Sequence, residues 1–341
     1  MYCCSKCFGE DRFLKSEIEN IALLGGDCCC CGSTNVALTD ATLLREHIDY
    51  LLSIYEPSDD ADAKSIINCL VDDWAIFKNK DPSKSIELLE YITNDKSINA
   101  SNYKATALEC NTPKEKWTKF CDELISKYRF LPDNAPHSDW LPLLFENLVE
   151  EINGAIYRAR IESEGLIELD KMGMPPTNKS TGGRANPVGI PYLYAASTPS
   201  TAIAEVRPHP GHDVTVAIFT ITEPLRIINL INPRQTITFG VAWESSDDDD
   251  YLLRLRYDIE ILSHLGEVLA KPVLPDQAAI EYLPTQYLCE LIKKEGYDGI
   301  QFKSSVGNGV NYVLFNEAKV IRESVSSHHI QSLTYNSTAK P

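Results

Sequence analysis

The 341-residue sequence is short of basic charge: 32 lysines and arginines stand against 49 aspartates and glutamates, a formal net charge of −17. So acidic a chain lacks the electrostatic footprint for wrapping duplex DNA, where phosphate neutralisation supplies most of the non-specific affinity. Long apolar runs are missing too. No stretch approaches the ~18–20 residues that a membrane span needs. The opening MYCCSKCFGEDR is polar and cysteine-rich, unlike the basic-then-apolar profile of a secretory signal. These absences exclude a duplex-DNA architecture and a helical membrane protein, and they lead to the expectation of a cytoplasmic chain with no membrane partner.

What is present reads as globular: 43% hydrophobic and 24% charged residues, enough chain for about two domains at ~100–200 residues each. The acidity is uneven, with −12 on residues 1–153 and −5 on the remainder. Seven of the eleven cysteines lie within the first thirty-one positions. In a reducing compartment such a cluster is better explained by a metal than by disulfides. Two Cys-x-x-Cys knuckles can be drawn, Cys4 with Cys7 and Cys28 with Cys31, twenty residues apart, and Gly32 frees the second to turn tightly. Four thiolates close a tetrahedron and leave no position for a reacting water, so the expected ion is structural Zn2+. Cys3, Cys29 and Cys30 keep the choice of ligands open, and the cluster also fits small buried thiols. Cys69, Cys110, Cys121 and Cys289 are scattered, as core-filling residues are.

Apolar residues recur at helical spacing from about 40 to 152, after Thr39 and Asp40, which can cap the first helix. The segments are 43–54, 61–77, 83–93, 114–129 and 139–152, with Pro57, Pro82, Pro113 and Pro132 between them. From Gly154 the pattern changes to short β-branched runs at 155–161, 192–195, 214–221, 225–230, 298–302, 311–315 and 318–322, with helices at 198–206, 251–269 and 277–294. The acidic run Asp247–Asp250 suits a solvated helix approach. The expected fold class is α+β: a zinc-knuckle segment (1–40), a helical domain (41–153), a mixed, mostly antiparallel β domain with helices (154–323) and a short tail (324–341). The segment 172–191 is dense in glycine and proline and carries Lys179 and Arg184; it is either a functional loop or a plain insertion.

IYRAR at 156–160, GGRANPVGIPYLYAA at 182–196, STPSTAIAEVRP at 197–208 and YDGIQFKSS at 297–305 together resemble the RES domain, whose members degrade NAD+. The resemblance lies in four segments in one order. The cysteine-rich, helical region ahead is similar to the HEPN/RES N-terminal domain found fused to RES domains. The resemblance implies an ADP-ribosyltransferase-like fold and an enzyme that cleaves the nicotinamide–ribose bond of NAD+ by hydrolysis or phosphorolysis, as a toxin or defence effector. It implies Glu205, Arg184 and Ser304 as catalytic residues, with Arg158, Tyr157, Tyr194, Asn186 and Ser305 toward the dinucleotide. Where the family usually has proline before its serine, this chain has Lys303. Inorganic phosphate, an antitoxin or trigger protein, and a second copy of the chain are further expected partners.

The residue types suit that chemistry. Planar arginine forks bind pyrophosphate oxygens bidentately, which fits Arg158 and Arg184. The nicotinamide ring is a flat cation that an aromatic face such as Tyr194 or Tyr157 can stack on. It departs neutral, so the difficulty is the positive charge left on the ribose, and a carboxylate there, Glu205, lowers the barrier. The same residues also admit plain roles: Arg158 as a surface strand residue, Glu205 paired with Arg207 at a helix end, Tyr194 in the core, Ser304 in a turn. His209 and His212 read as loop residues. A rival reading makes the first half a HEPN-type RNA-acting or protein-interaction module. HEPN ribonucleases often carry arginine four to six residues ahead of histidine; here Arg45 and His47 stand too close, Arg129 and His137 too far apart.

Overall fold

The computed structural model describes residues 1–77, 80–106, 113–135, 141–245, 250–271 and 278–333. Cys110, His137, positions 247–249 and the end of the tail lie outside the described residues. Two units emerge, Met1–Lys116 with Pro233–Ile261, and Trp117–Asn232 with Leu262–Pro341. Among the described residues no helix is long and apolar enough to cross a membrane.

The first unit begins with a three-stranded antiparallel sheet, β1 (Tyr2–Cys3), β2 (Leu24–Gly26) and β3 (Val36–Asp40), ordered β1-β3-β2. Helix Arg12–Asn20 follows its cap, Asp11, whose carboxylate accepts from the Leu14 amide at 2.8 Å. Leu14 and Ile18 bury the inner face of this helix. Asp40 caps the turn Ala41–Leu44 ahead of helix Arg45–Leu52, as the sequence suggests. Ser65 and Asp81 cap helices Ile66–Trp74 and Pro82–Thr93. The predicted helix 61–77 is shorter because Ala75 turns left-handed at φ 57°. Strands β4 (Tyr55–Pro57) and β5 (Tyr103–Ala105) pair antiparallel, so this half carries short strands as well as helices.

The two units do not part at the compositional break near 153, and one buried carboxylate accounts for the place of 233–261 in the first. Asp73 accepts from Arg256 Nε at 2.6 Å, from Arg234 at 3.3 Å and from the Tyr55 hydroxyl at 2.7 Å. These bonds hold 233–261 to the helices of the first unit, and removing one partner of such a buried set would cost ~3–5 kcal/mol.

The second unit is an eight-stranded sheet of β6 (Val149–Ile152), β7 (Ala155–Ile161), β8 (Leu193–Ala196), β9 (Asp213–Ile221), β10 (Leu225–Asn229), β11 (Gly299–Lys303), β12 (Val310–Leu314) and β13 (Val320–His329). Its order is β13-β9-β7-β8-β12-β11-β10-β6. Only β10 and β11 run parallel, so the sheet is mixed and mostly antiparallel, as expected. β13 runs on through 324–329, residues read above as tail.

The helix expected over 139–152 requires correction. The described part is a short helix, Leu141–Phe145, one 3-10 turn and then strand β6, which pairs antiparallel with β10 from Ile152↔Leu225 to Val149↔Ile228. The glutamates of VEEI favour a helix locally, but the offered sheet edge overrides that weak preference. One core packs Ile156, Met172, Leu193, Ala217, Phe219, Ile227 and Leu314. A second, of small residues, groups Ala159, Ala196, Ala202, Val214 and Val216. Ala202 belongs to helix Pro199–Glu205, whose cap Thr198 accepts from the Thr201 amide at 3.1 Å. Small side chains let that helix lie close to the sheet, and its last residue is Glu205.

Candidate functional site

A single residue pair, Tyr157↔Ala196, joins β7 to β8, whereas β7 and β9 share seven. Beside that joint the Arg158 side chain donates to the Tyr194 carbonyl at 2.9 Å, taking a place that a backbone amide fills in an ordinary ladder. A cavity of about 500 Å³ opens here, in the range of small-molecule sites. Tyr157 and Arg158 of β7, Tyr194 and Ala196 of β8, Glu205, and Asn311 of β12 line it.

Glu205 is the best-organised group. Its Oε1 accepts from the Ser304 hydroxyl at 2.7 Å and from Asn311 Nδ2 at 2.7 Å; among the described residues Oε2 has no partner. Ser304 in turn accepts from the amides of Gly307 at 2.9 Å and Val306 at 3.3 Å, which direct its own proton toward Glu205. The serine loop is tied to the glutamate helix, with the Gly309 amide donating to Thr201 Oγ1 at 3.1 Å. Of the two serines, Ser304 is buried at this bond and Ser305 is exposed.

Among the described residues Arg158 makes no salt bridge. Burial and the neighbouring Arg160 push its guanidinium down to about 10, still charged at neutral pH, and its buried Nε lacks a partner. An unpaired cation beside a cavity suits an anionic ligand. Arg184 enters from the 180–190 loop and donates to the Leu269 carbonyl at 2.5 Å. This loop is well anchored: Gln286 Nε2 donates to the Gly183 carbonyl at 2.8 Å, and the Thr285 hydroxyl donates to that of Arg184 at 2.5 Å.

Asn186 holds the loop together. Buried at 3% exposure, it accepts from the Tyr194 hydroxyl at 2.7 Å and donates to the Ile190 carbonyl at 2.8 Å. Tyr194 also accepts from the Ala185 amide at 3.1 Å, and burial raises its phenol above the ordinary range. Gly183 permits this packing, since a Cβ there would stand 2.5 Å from the Tyr194 hydroxyl and 2.6 Å from Asn186 Oδ1. Asn186 therefore acts from beneath the loop, while Tyr194 is one of the residues lining the cavity.

Sequence reasoning missed Asn311, and the plain alternative it left open, Glu205 paired with Arg207 at a helix end, is not what the structure shows. Among the described residues Arg207 pairs with no carboxylate; it lines the cavity from a left-handed backbone, φ 47°. The signal for Asn311 was a polar residue on the buried side of an apolar strand, shared with Val313. Tyr282 and Tyr312 add aromatic surface that no motif disclosed, beside Phe302 of the YDGIQFKSS segment. His209 and His212 sit in their turn, where the His209 amide donates to His212 Nδ1 at 3.1 Å.

A separate site lies in the first unit. The sulfurs of Cys4, Cys7, Cys28 and Cys31 fall within 4.8 Å of one another, the one such group among the described residues. Cys4–Cys31 and Cys7–Cys28 are 3.5 Å apart and Cys4–Cys7 4.0 Å. Tetrahedral thiolates at ~2.3 Å from an ion stand ~3.8 Å apart, so the donor set fits. Burial raises the Cys4 and Cys28 thiols, and a Cys30 contact together with burial raises Cys7; against its own burial, Ser33 brings Cys31 down to about 6. A central cation is what such clustered thiols need in order to ionise together. Cys29 and Cys30 donate instead to the Tyr2 carbonyl at 3.2 and 3.5 Å, and Cys3 to that of Thr39 at 3.8 Å.

Residues 155–336 match the family model of the RES domain. Among solved structures, the crystal structure of the M. tuberculosis MbcT-MbcA toxin-antitoxin complex matches at a TM-score of 0.34 and 11% identity, over 57% of this chain and 93% of that chain. No curated protein matches the chain.

Proposed function

The chain belongs to the RES domain family, and from that premise we propose that it cleaves the nicotinamide–ribose bond of NAD+, transferring ADP-ribose to water or inorganic phosphate. The observation that carries the proposal is Glu205, with one oxygen held by Ser304 and Asn311 and the other unengaged, in an arginine-flanked cavity. Arg158 and Arg184 bind the pyrophosphate, and the ring of Tyr194 or Tyr157 faces the nicotinamide. As the C–N bond breaks, its electron pair passes to the ring nitrogen, which becomes neutral, and positive charge develops on the ribose. Glu205 Oε2 stabilises that charge where it appears, and the acceptor then bonds to the same carbon, a water releasing its proton to solvent and a phosphate bonding through an anionic oxygen. Ser304 keeps the carboxylate aimed, and Asn186 fixes the loop that carries Arg184.

In this reading Cys4, Cys7, Cys28 and Cys31 hold a structural Zn2+, and the N-terminal region is a regulator of a toxin or defence effector that depletes NAD+, with an antitoxin or trigger protein as its partner. The test is to incubate the full-length protein with NAD+, with and without phosphate, and resolve the products. Nicotinamide with ADP-ribose marks water as acceptor, and nicotinamide with a phosphorylated ADP-ribose marks phosphate. Intact NAD+ beside folded protein in both incubations overturns the proposal.

A further inference from the structure

Asn311 is 7% exposed on β12, opposite Phe302 of β11 and Ala196 of β8. Its amide orientation is fixed by chemistry, because only Nδ2 can donate to the carboxylate oxygen of Glu205, 2.7 Å away. That leaves its Oδ1 buried with no hydrogen-bond partner. A residue serving the strand alone would not leave a buried acceptor unmet, since an apolar side chain avoids that penalty. The amide of Asn311 is thus spent on Glu205 while its oxygen goes unmet, so the side chain serves the carboxylate rather than the strand.

We propose that Asn311 is a positioning residue of the reaction, the second of two donors that clamp Glu205 Oε1 and so present Oε2 to the substrate. This rests on the NAD+-cleavage reading for the reaction, while the Asn311–Glu205 bond stands apart from it. With Ser304 alone, the carboxylate can pivot about one hydrogen bond; with Asn311 added, two donors from different elements fix its plane. Displacements of about 1 Å in such a group cost on the order of 10²-fold in rate. The other charged groups lining the cavity are Arg158, Arg184 and Arg207, and among the described residues none pairs with Glu205. Arginines do not titrate between pH 4 and 8, so a pH response created at position 311 belongs to the two facing carboxyls.

The experiment compares Asn311→Ala and Asn311→Asp in the full-length protein. Asn311→Ala is expected to lower kcat about 10–100-fold with KM changed less than threefold, at every pH. Asn311→Asp is expected to be worse at neutral pH, where two carboxylates face each other, and to regain activity as pH falls, because a protonated carboxyl can donate as the amide does. Thermal melts give a readout free of turnover: the loss of Tm in Asn311→Asp grows with pH, and that growth disappears in a Glu205→Gln background. Asn311→Asp tracking Asn311→Ala at every pH, or melts without coupling to position 205, overturns the inference. A wild type inert toward NAD+ defeats the functional reading instead, and the melts still decide the Asn311–Glu205 pair.

Discussion

The cysteine site and the cavity solve the same problem, holding several polar groups at one point, in opposite ways. The cysteines come as two pairs, each spanning one turn, brought together by a small sheet at the start of the chain. The cavity gathers Arg158, Arg184, Glu205 and Asn311, with Ser304 behind Glu205, and these share no short motif; they meet because β7, β8, β11 and β12 are neighbours in the sheet. With the proposed zinc bound, the first arrangement would lean on an ion to offset the proximity of like groups; the second leans on hydrogen bonds from a packed scaffold. Local sites should therefore fail by losing their ligand, and dispersed ones by losing their aim.

The sharpest break is Glu205→Gln. It keeps the shape and removes the charge that the proposed mechanism uses, so NAD+ turnover should fall about 10³-fold or more while Tm shifts little. Activity within tenfold of wild type, with normal folding, would show that the carboxylate is not the stabilising group. On the other side, Cys7→Ser should reduce bound zinc, measured by elemental mass spectrometry, from about one ion per chain to near none. It should also lower the stability of the first unit by about 4 kcal/mol or more. Full zinc content in that variant would return Cys3, Cys29 and Cys30 to consideration.

The smallest effect sharpens the comparison from the fold's side. Asp11 caps its helix while 2% exposed, and burial raises its carboxyl to about 6. The folded state thus holds a proton that the unfolded chain releases, so Asp11 weakens stability as pH rises from about 4 to 6, and the loss is complete above that. Asp11→Asn keeps the cap and removes the charge. It should raise stability at pH 7 by up to about 3 kcal/mol and change little at pH 3.5, by denaturant titration at both. Equal effects at the two pH values would place the cause elsewhere.

Much of the second unit was legible because its strands carry β-branched runs bounded by turns; 155–161 coincides with β7 to the residue. β6 was not, because VEEI becomes a strand only when β10 is beside it, and that partner lies more than seventy residues away. The cysteine pairs could be read from spacing alone, since each pair is local. Glu205 could be located through its motif, yet its setting could not: Asn311 reaches it across the sheet, and nothing in NYVLF says which carboxylate its amide will meet. Asn186 is the converse. Its motif marks it as important, and only packing reveals that it supports the loop from within.

The one-rung joint between β7 and β8 has a consequence for how variants of this protein are interpreted. Arg158 both bridges the joint and faces the cavity, so two duties fall on one side chain. An inactive Arg158→Ala protein could have lost its ligand or its sheet, and turnover alone cannot say which. Under the proposed mechanism a replacement at this position would have to reach the Tyr194 carbonyl and still present a cation. Glu205, which closes no ladder, is the freer witness to the chemistry.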